Sequence, residues 1–425
     1  MIRLHLLPGR SCAGAALIAV FAVMVSGCGG ASAKPSGEAA TRDTAASPSD
    51  SAPTQARAGS PVWIDTLQMV SATIGWALLW PSNPDHDGTL AVARTTDRGR
   101  TWTIVTPPAA VRALGTGQGL LQAATAERAW FAVPTSTSGP SGKTLVFGTA
   151  DGGRSWRQSA GIPDGSEPVA IDFVSPSRGW LLESLGAAMQ QNPVRLYQST
   201  DGGVRWSLVA RSPRMAGDPP TSSGLPLYCD KDGLAFASTR TGWITGYCNS
   251  MSVLVTRDGG ARWATQALPL SPTLCESAGC EIPAPQSAGG TTFLTVTDYP
   301  AAAYLLVSRD AGRNWRIETL PAGAGQYPRI RFFSADDGIA VSAGSQGTIG
   351  RDFYLTADGG LSWIAIRQGV RFGGNWDDVD FVSQHAGFAW TNPGGDVPSA
   401  PLPLYRTSDS GRTWASFVPR LSHQA

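Results

Sequence analysis

An all-β ring of seven radially arranged, four-stranded antiparallel sheets is predicted for this chain by three observations. An eight-residue pattern, Ser/Thr-x-Asp-x-Gly-x-x-Trp, occurs seven times. Successive copies lie about 50 residues apart, the length of one propeller blade. Short runs rich in Val, Leu, Tyr and Trp, bounded by glycine turns, flank each copy and read as strands. No helical pattern of useful length occurs after residue 60.

The copies read TTDRGRTW from Thr95, TADGGRSW from Thr149, STDGGVRW from Ser199 and TRDGGARW from Thr256. They continue as SRDAGRNW from Ser308, TADGGLSW from Thr356 and TSDSGRTW from Thr407. Their aspartates, Asp97, Asp151, Asp201, Asp258, Asp310, Asp358 and Asp409, are 54, 50, 57, 52, 48 and 51 residues apart. The octapeptide has a mechanical reading as the hairpin between the third and fourth strands, C and D. Its Asp accepts backbone N–H groups, its Gly permits positive φ, and its Ser/Thr hydroxyl fastens the turn. The Trp opens strand D and buries on the order of 200 Å². One aspartate per blade cannot converge on a single substrate, so the seven are read as architecture.

A second signal precedes each octapeptide. In blade three, VAIDFVSPSRGWLLES runs from Val169, with Phe173 followed six positions later by Gly179-Trp180. The same spacing joins Phe236 to Gly242-Trp243, Phe332 to Gly338-Ile339, Phe381 to Gly387-Phe388 and Met69 to Gly75-Trp76. Blade two has the weaker Ala123 and Ala129-Trp130, and blade five, around GGTTFLTVT from Gly289, lacks the aromatic at this spacing. These runs supply strands A and B, so each unit is a meander numbered outward from the axis.

Residues 1–28 read as an export signal. Arg3 and Arg10 flank a basic start, an apolar stretch runs from Cys12 to Val25, and Val25-Ser26-Gly27-Cys28 resembles a bacterial lipoprotein box. That resemblance implies cleavage before Cys28 and acylation there; the alternative is an ordinary cleaved signal peptide. Residues 29–60, nearly all Gly, Ala, Ser, Pro and Thr, lack core-forming periodicity and read as a disordered tether with a reach of roughly 30 Å. The propeller is expected over residues 61–420. The implied location is the outer surface of the bacterial cytoplasmic membrane.

With a formal net charge of +1 and no basic run, nothing points to a nucleic-acid partner. Of six cysteines, Cys12 leaves with the signal and Cys28 carries lipid. Cys229, Cys248, Cys275 and Cys280 remain, an even number that favours two disulfides in an oxidising compartment. Cys275 with Cys280 would close one loop, and Cys229 with Cys248 flank a hairpin; the other two connectivities stay open. His5, His86, His385 and His423 form no metal-ligand cluster. No metal or cofactor is expected.

The octapeptide resembles the Asp box, or BNR repeat, of sialidases, sortilin-type receptors, some xyloglucan-cleaving hydrolases and the photosystem II assembly-factor family. With F-x-x-x-x-x-G-W before each box, the chain is most similar to that last family and its bacterial lipoprotein relatives. The resemblance covers about 350 of the 425 residues. It implies a scaffold or assembly role and transfers no catalytic residue. The Phe/Tyr-Arg-Ile-Pro of sialidases is missing near the first blade; the nearest string, from Tyr327 to Arg331, lies in blade six.

Two features point to where a ligand goes. A–B and C–D turns are nearly constant, whereas B–C and D–A connections vary, as in WPSNPDHDG after strand B of blade one and the segment Arg211–Pro226. In a meander the variable connections share one face, and elaborated loops on a rigid scaffold carry binding. One residue before the aligned Phe stand Gln68, Gln122, Asp172, Ala235, Arg331 and Asp380, with Arg329 and Asp378 two residues earlier in blades six and seven. Charges in a dry sheet interface are costly. These side chains are therefore expected at the central channel, either as structural ion pairs or as a ligand site. The expected function is a monomeric, non-catalytic, surface-tethered propeller that binds a protein or glycan through its loop-rich face. The alternative is a glycoside hydrolase acting on external glycans, for which Asp172, Glu183, Asp298, Asp378 and Asp380 are the available carboxylates.

Overall fold

The computed structural model describes residues 58–81, 89–114, 119–135, 142–163, 167–186, 191–248, 250–275, 279–298, 302–321, 328–342, 350–372, 377–391 and 402–422. Cys12, Cys28, the leader, most of the tether and His5, His86 and His423 lie outside them. The chain folds as seven four-stranded antiparallel blades arranged as a β-propeller. Blade three shows the plan: strands Glu167–Phe173, Gly179–Ser184, Val194–Ser199 and Ser207–Arg211 pair in sequence order. The other A strands are Trp63–Met69, Leu120–Ala123, Gly233–Phe236, Gln286–Ala288, Arg329–Phe332 and Asp377–Phe381.

The octapeptides form identical corners. In blade three the Ser199 hydroxyl donates to Asp201 Oδ1 (3.0 Å) and accepts the Gly203 N–H (2.9 Å). The Arg205 N–H donates to the same Oδ1 (2.9 Å). These three bonds recur in every blade. The corner is also tied to the A–B turn of its own blade, as where the Gly202 N–H donates to Ser177 O (2.9 Å). Both constant turns therefore sit on one face.

Blades meet through aromatic stacks. The strand-B ring of one blade lies flat on the strand-A Phe of the next: Trp130 on Phe173 (4.0 Å), Trp180 on Phe236 (3.6 Å) and Phe293 on Phe332 (3.5 Å). Gly203 shows why the corner needs glycine twice over. Its φ is +93°, and a Cβ there would stand 3.2 Å from the Phe173 ring and 3.4 Å from Trp130. Of the strand-D tryptophans, Trp102, Trp263 and Trp315 are buried, while Trp156, Trp206, Trp363 and Trp414 are half-buried.

Three details depart from the sequence reading. Blade five does have its aromatic, Phe293, because its A–B turn is a two-residue Gly289-Gly290 hairpin with both φ positive. The shorter turn moves the ring out of the spacing seen elsewhere. A short helix, Pro108–Leu114, bridges blades one and two, with Pro at its first position and Ala110, Ala113 and Leu114 buried. Two turns are too few to register as a period. Finally, Arg420–Leu421 adds a parallel fifth strand to Thr101–Trp102 of blade one. Residues 59–62 bond to its other side, with the Gly59 N–H on Leu421 O (2.9 Å) and the Leu421 N–H on Ser60 O (2.8 Å). This clasp joins the two ends of the ring, and Phe388 and Leu404 of blade seven pack with Val62, Met69 and Leu421 behind it.

Candidate functional site

Along the axis, the side chain one residue before the aligned Phe position clamps the neighbouring blade. Gln68 accepts the Ala123 N–H (2.7 Å) and donates to Leu121 O (2.6 Å). Gln122 accepts the Phe173 N–H (2.7 Å), and Asp172 accepts the Phe236 N–H (2.6 Å) while receiving the Gln122 amide (3.2 Å). Gln286 does the same to Phe332 (2.8 Å), a residue that the sequence alignment missed because of the shortened turn of blade five. Burial pushes the Asp172 carboxyl up to about 6, against the pull of its bonds from Phe236 and Gln122.

The remaining seams are fastened otherwise. Ala235 offers no polar atom, and between blades four and five Tyr247–Cys248 pairs instead with Cys280–Glu281. Between blades six and seven, Arg329 forms an ion pair with Asp378. Asp380 is half-buried and its carboxyl is raised by desolvation, with the Arg331 charge pulling it back down. Each predicted channel residue is thus found on a seam between adjacent inner strands. Glu183, in contrast, is fully buried on strand B of blade three, and Asp298 is buried at the end of strand B of blade five.

The opposite face carries the connection from blade three to blade four, and its geometry is held unusually firmly. The Lys231 ammonium, 1% exposed, donates to the carbonyls of Asn192 (2.9 Å), Leu227 (3.2 Å), Tyr228 (2.9 Å) and Cys229 (3.0 Å). An ammonium has three protons and no acceptor, so a ring of carbonyls satisfies it without a carboxylate partner. Burial still lowers its pKa to about 8, with Asp230 pulling the other way. Cys229 is joined to Cys248 (Cα–Cα 4.7 Å), which ties the connection to the end of strand B of blade four. The second disulfide joins Cys275 to Cys280 (Cα–Cα 5.1 Å), and both of its cysteines are fully buried.

Beneath this connection lies a pocket of about 180 Å³. Its walls come from Tyr228 and Asp230 above and from Ile244, Thr245, Leu254 and Thr265 on strands B, C and D of blade four. The acidic groups near it act together on Asp232. Burial pushes Asp232 up to about 6, and the charges of Glu281 and Asp230 add to that shift. Asp230 is raised by burial against Lys231, and Glu281 by burial against Arg329. Among the described residues, no group of three His, Cys, Asp or Glu is placed to hold a metal ion. None of Tyr228, Lys231 or Thr245 stood out in the sequence. The only hint was a Lys between two Asp directly after a cysteine of a predicted disulfide.

No protein-family model and no curated protein matches the chain. Solved structures do. The GH74 xyloglucanase from Xanthomonas campestris aligns over 86% of this chain and 55% of its own, at 15% identity and a TM-score of 0.53. Prolyl oligopeptidase B from Galerina marginata aligns over 87% of this chain and 52% of its own, at 8% identity and a TM-score of 0.52. YCF48 bound to D1 peptide aligns over 78% of this chain and 89% of its own, at 14% identity and a TM-score of 0.46. The chain spans about half the length of the two enzymes, and at these identities the likeness is one of fold: this chain is similar to β-propellers that differ in what they do.

Proposed function

We propose that this chain is a non-catalytic binding propeller, held outside the cytoplasmic membrane by lipid on Cys28, that engages a protein or glycan through its loop-bearing face. The observation that carries the reading is the contrast between the faces. On one, every octapeptide aspartate is consumed by its own turn, as an Asp box with an architectural role. On the other, a buried lysine and a disulfide hold a long connection over a pocket. Rigid scaffolds with elaborated loops on one face are where binding residues concentrate. Catalysis draws no support from the carboxylates, because Asp172 already accepts the Phe236 N–H and Asp378 already pairs with Arg329.

A photo-cross-linker tests the reading. Met215, 63% exposed in the connection, and Leu361, 59% exposed at a corner, are each replaced by a photoreactive residue in the native host. A discrete adduct from position 215 and none from 361 is the expected result. Adducts from 361 alone, or from neither, would sink the face assignment. Metabolic labelling with an alkynyl fatty acid should mark the wild-type protein and not Cys28→Ala. Turnover of aryl glycosides that Asp172→Asn or Asp380→Asn abolished would overturn the non-catalytic reading.

A further inference from the structure

We infer that the pocket under the connection between blades three and four receives one neutral sugar unit, with Tyr228 as its stacking platform; this deepens the loop-face reading and rests on it. Four observations converge. The first is size. At about 180 Å³ the pocket lies below the roughly 300–1,000 Å³ of sites for larger ligands, and a void of about 150 Å³ admits a benzene-sized ring. The volume therefore suits a single six-membered ring.

The second is the hydroxyl-bearing character of one wall. Ser250, Ser252 and Thr265 bring hydroxyls to it, and Ser250 and Ser252 already bond each other (3.0 Å). A lining that alternates hydroxyls with Ile244 and Leu254 matches a pyranose, which presents both hydroxyls and C–H faces.

The third is the aromatic. Tyr228 is 60% exposed at the pocket and is among the few large apolar side chains left open on the surface. Its backbone is held: its carbonyl is bonded to Lys231 Nζ, and its neighbour Cys229 is disulfide-linked. A tyrosine ring on a held backbone has few torsions left to order, so it offers area at little entropic cost. The fourth is charge. Asp230 lines the pocket, and Asp230 and Glu281 both lie close enough to Asp232 for their charges to raise its carboxyl. The single nearby lysine is turned inward to four carbonyls and offers nothing to a ligand. An anionic sugar would meet the Asp230 carboxylate in the wall and no lining cation free to pair with it, so sialic and uronic acids are disfavoured.

Saturation-transfer NMR on the mature chain tests this with the methyl glycosides of glucose, galactose and mannose, set against N-acetylneuraminic and glucuronic acids. At least one neutral glycoside should bind and neither acid should. Tyr228→Ala and the near-isosteric Thr265→Val should each weaken that binding tenfold or more, with unchanged circular dichroism. Leu361→Ala, at a corner, should bind as wild type. The inference is overturned if no neutral glycoside binds, if the acids bind as well as the neutral sugars, or if either pocket variant binds like wild type. An adduct at position 215 without glycoside binding would leave the loop-face reading standing and remove the sugar; glycoside binding without that adduct would do the reverse.

Discussion

At the corner of blade three, Asp201 takes the N–H groups of Val204 and Arg205 and the hydroxyl of Ser199. Partial burial pushes its carboxyl up, but those bonds win and hold it below the usual range. On strand A of the same blade, Asp172 takes one N–H and one amide in a closed space, and there burial wins. The difference is the number of donors aimed at each carboxylate against the water removed from it. Corners are self-contained loops that any blade can carry. Axis residues must instead match a neighbour, so Gln clamps three seams, Asp172 a fourth and an Arg–Asp pair another.

The largest expected effect that separates these regions comes from the stacks behind the corners. Trp180→Ala removes a fully buried ring that lies 3.6 Å from Phe236 and donates to Gly259 O (2.9 Å). It should cost about 3–5 kcal/mol in urea unfolding, without changing ligand binding by the folded protein. Next is the axis. Gln122→Leu leaves the Phe173 N–H without its acceptor, and a loss of about 1–3 kcal/mol is expected in the same assay.

pH then tests the opposite signs. Asp151 and Asp358 are held down to about 2, chiefly by the hydroxyls of Ser155 and Ser362. Their contribution is fully present above the ordinary value of 3.8 and is lost as pH falls through about 2. Asp172, at about 6, keeps its proton longer in the folded state, so its contribution declines as pH rises from 3.8 to 6. Asp172→Asn should match wild-type stability below pH 4 and exceed it progressively up to pH 6. Equal curves throughout would show that the carboxyl is more hydrated than its surroundings indicate. The smallest effect belongs to Leu361→Ala, exposed at a corner, where a change within about 0.5 kcal/mol is expected. A larger loss would mean that the corner face is covered.

The period of the octapeptide made the blade count legible, because a turn that satisfies itself leaves its whole signature in eight consecutive residues. Phe293 and Gln286 escaped because a two-residue hairpin displaced them from the common spacing. The clasp escaped because two residues, Arg420–Leu421, carry too little pattern to announce a strand. The pocket was illegible for a different reason. Its walls come from separate stretches of chain around Tyr228, Ile244, Leu254 and Thr265, and no local motif links them.

By itself, then, the amino-acid order determined the repeated meander, the seven corners and the face on which variation accumulates, since each depends on hydrogen bonds and alternation within a few residues. Only the closed ring decided which inner side chain meets which neighbour, where Lys231 finds four carbonyls, and that Tyr228 and Thr265 line one pocket. Those outcomes depend on distances between separate strands, which no stretch of chain encodes alone.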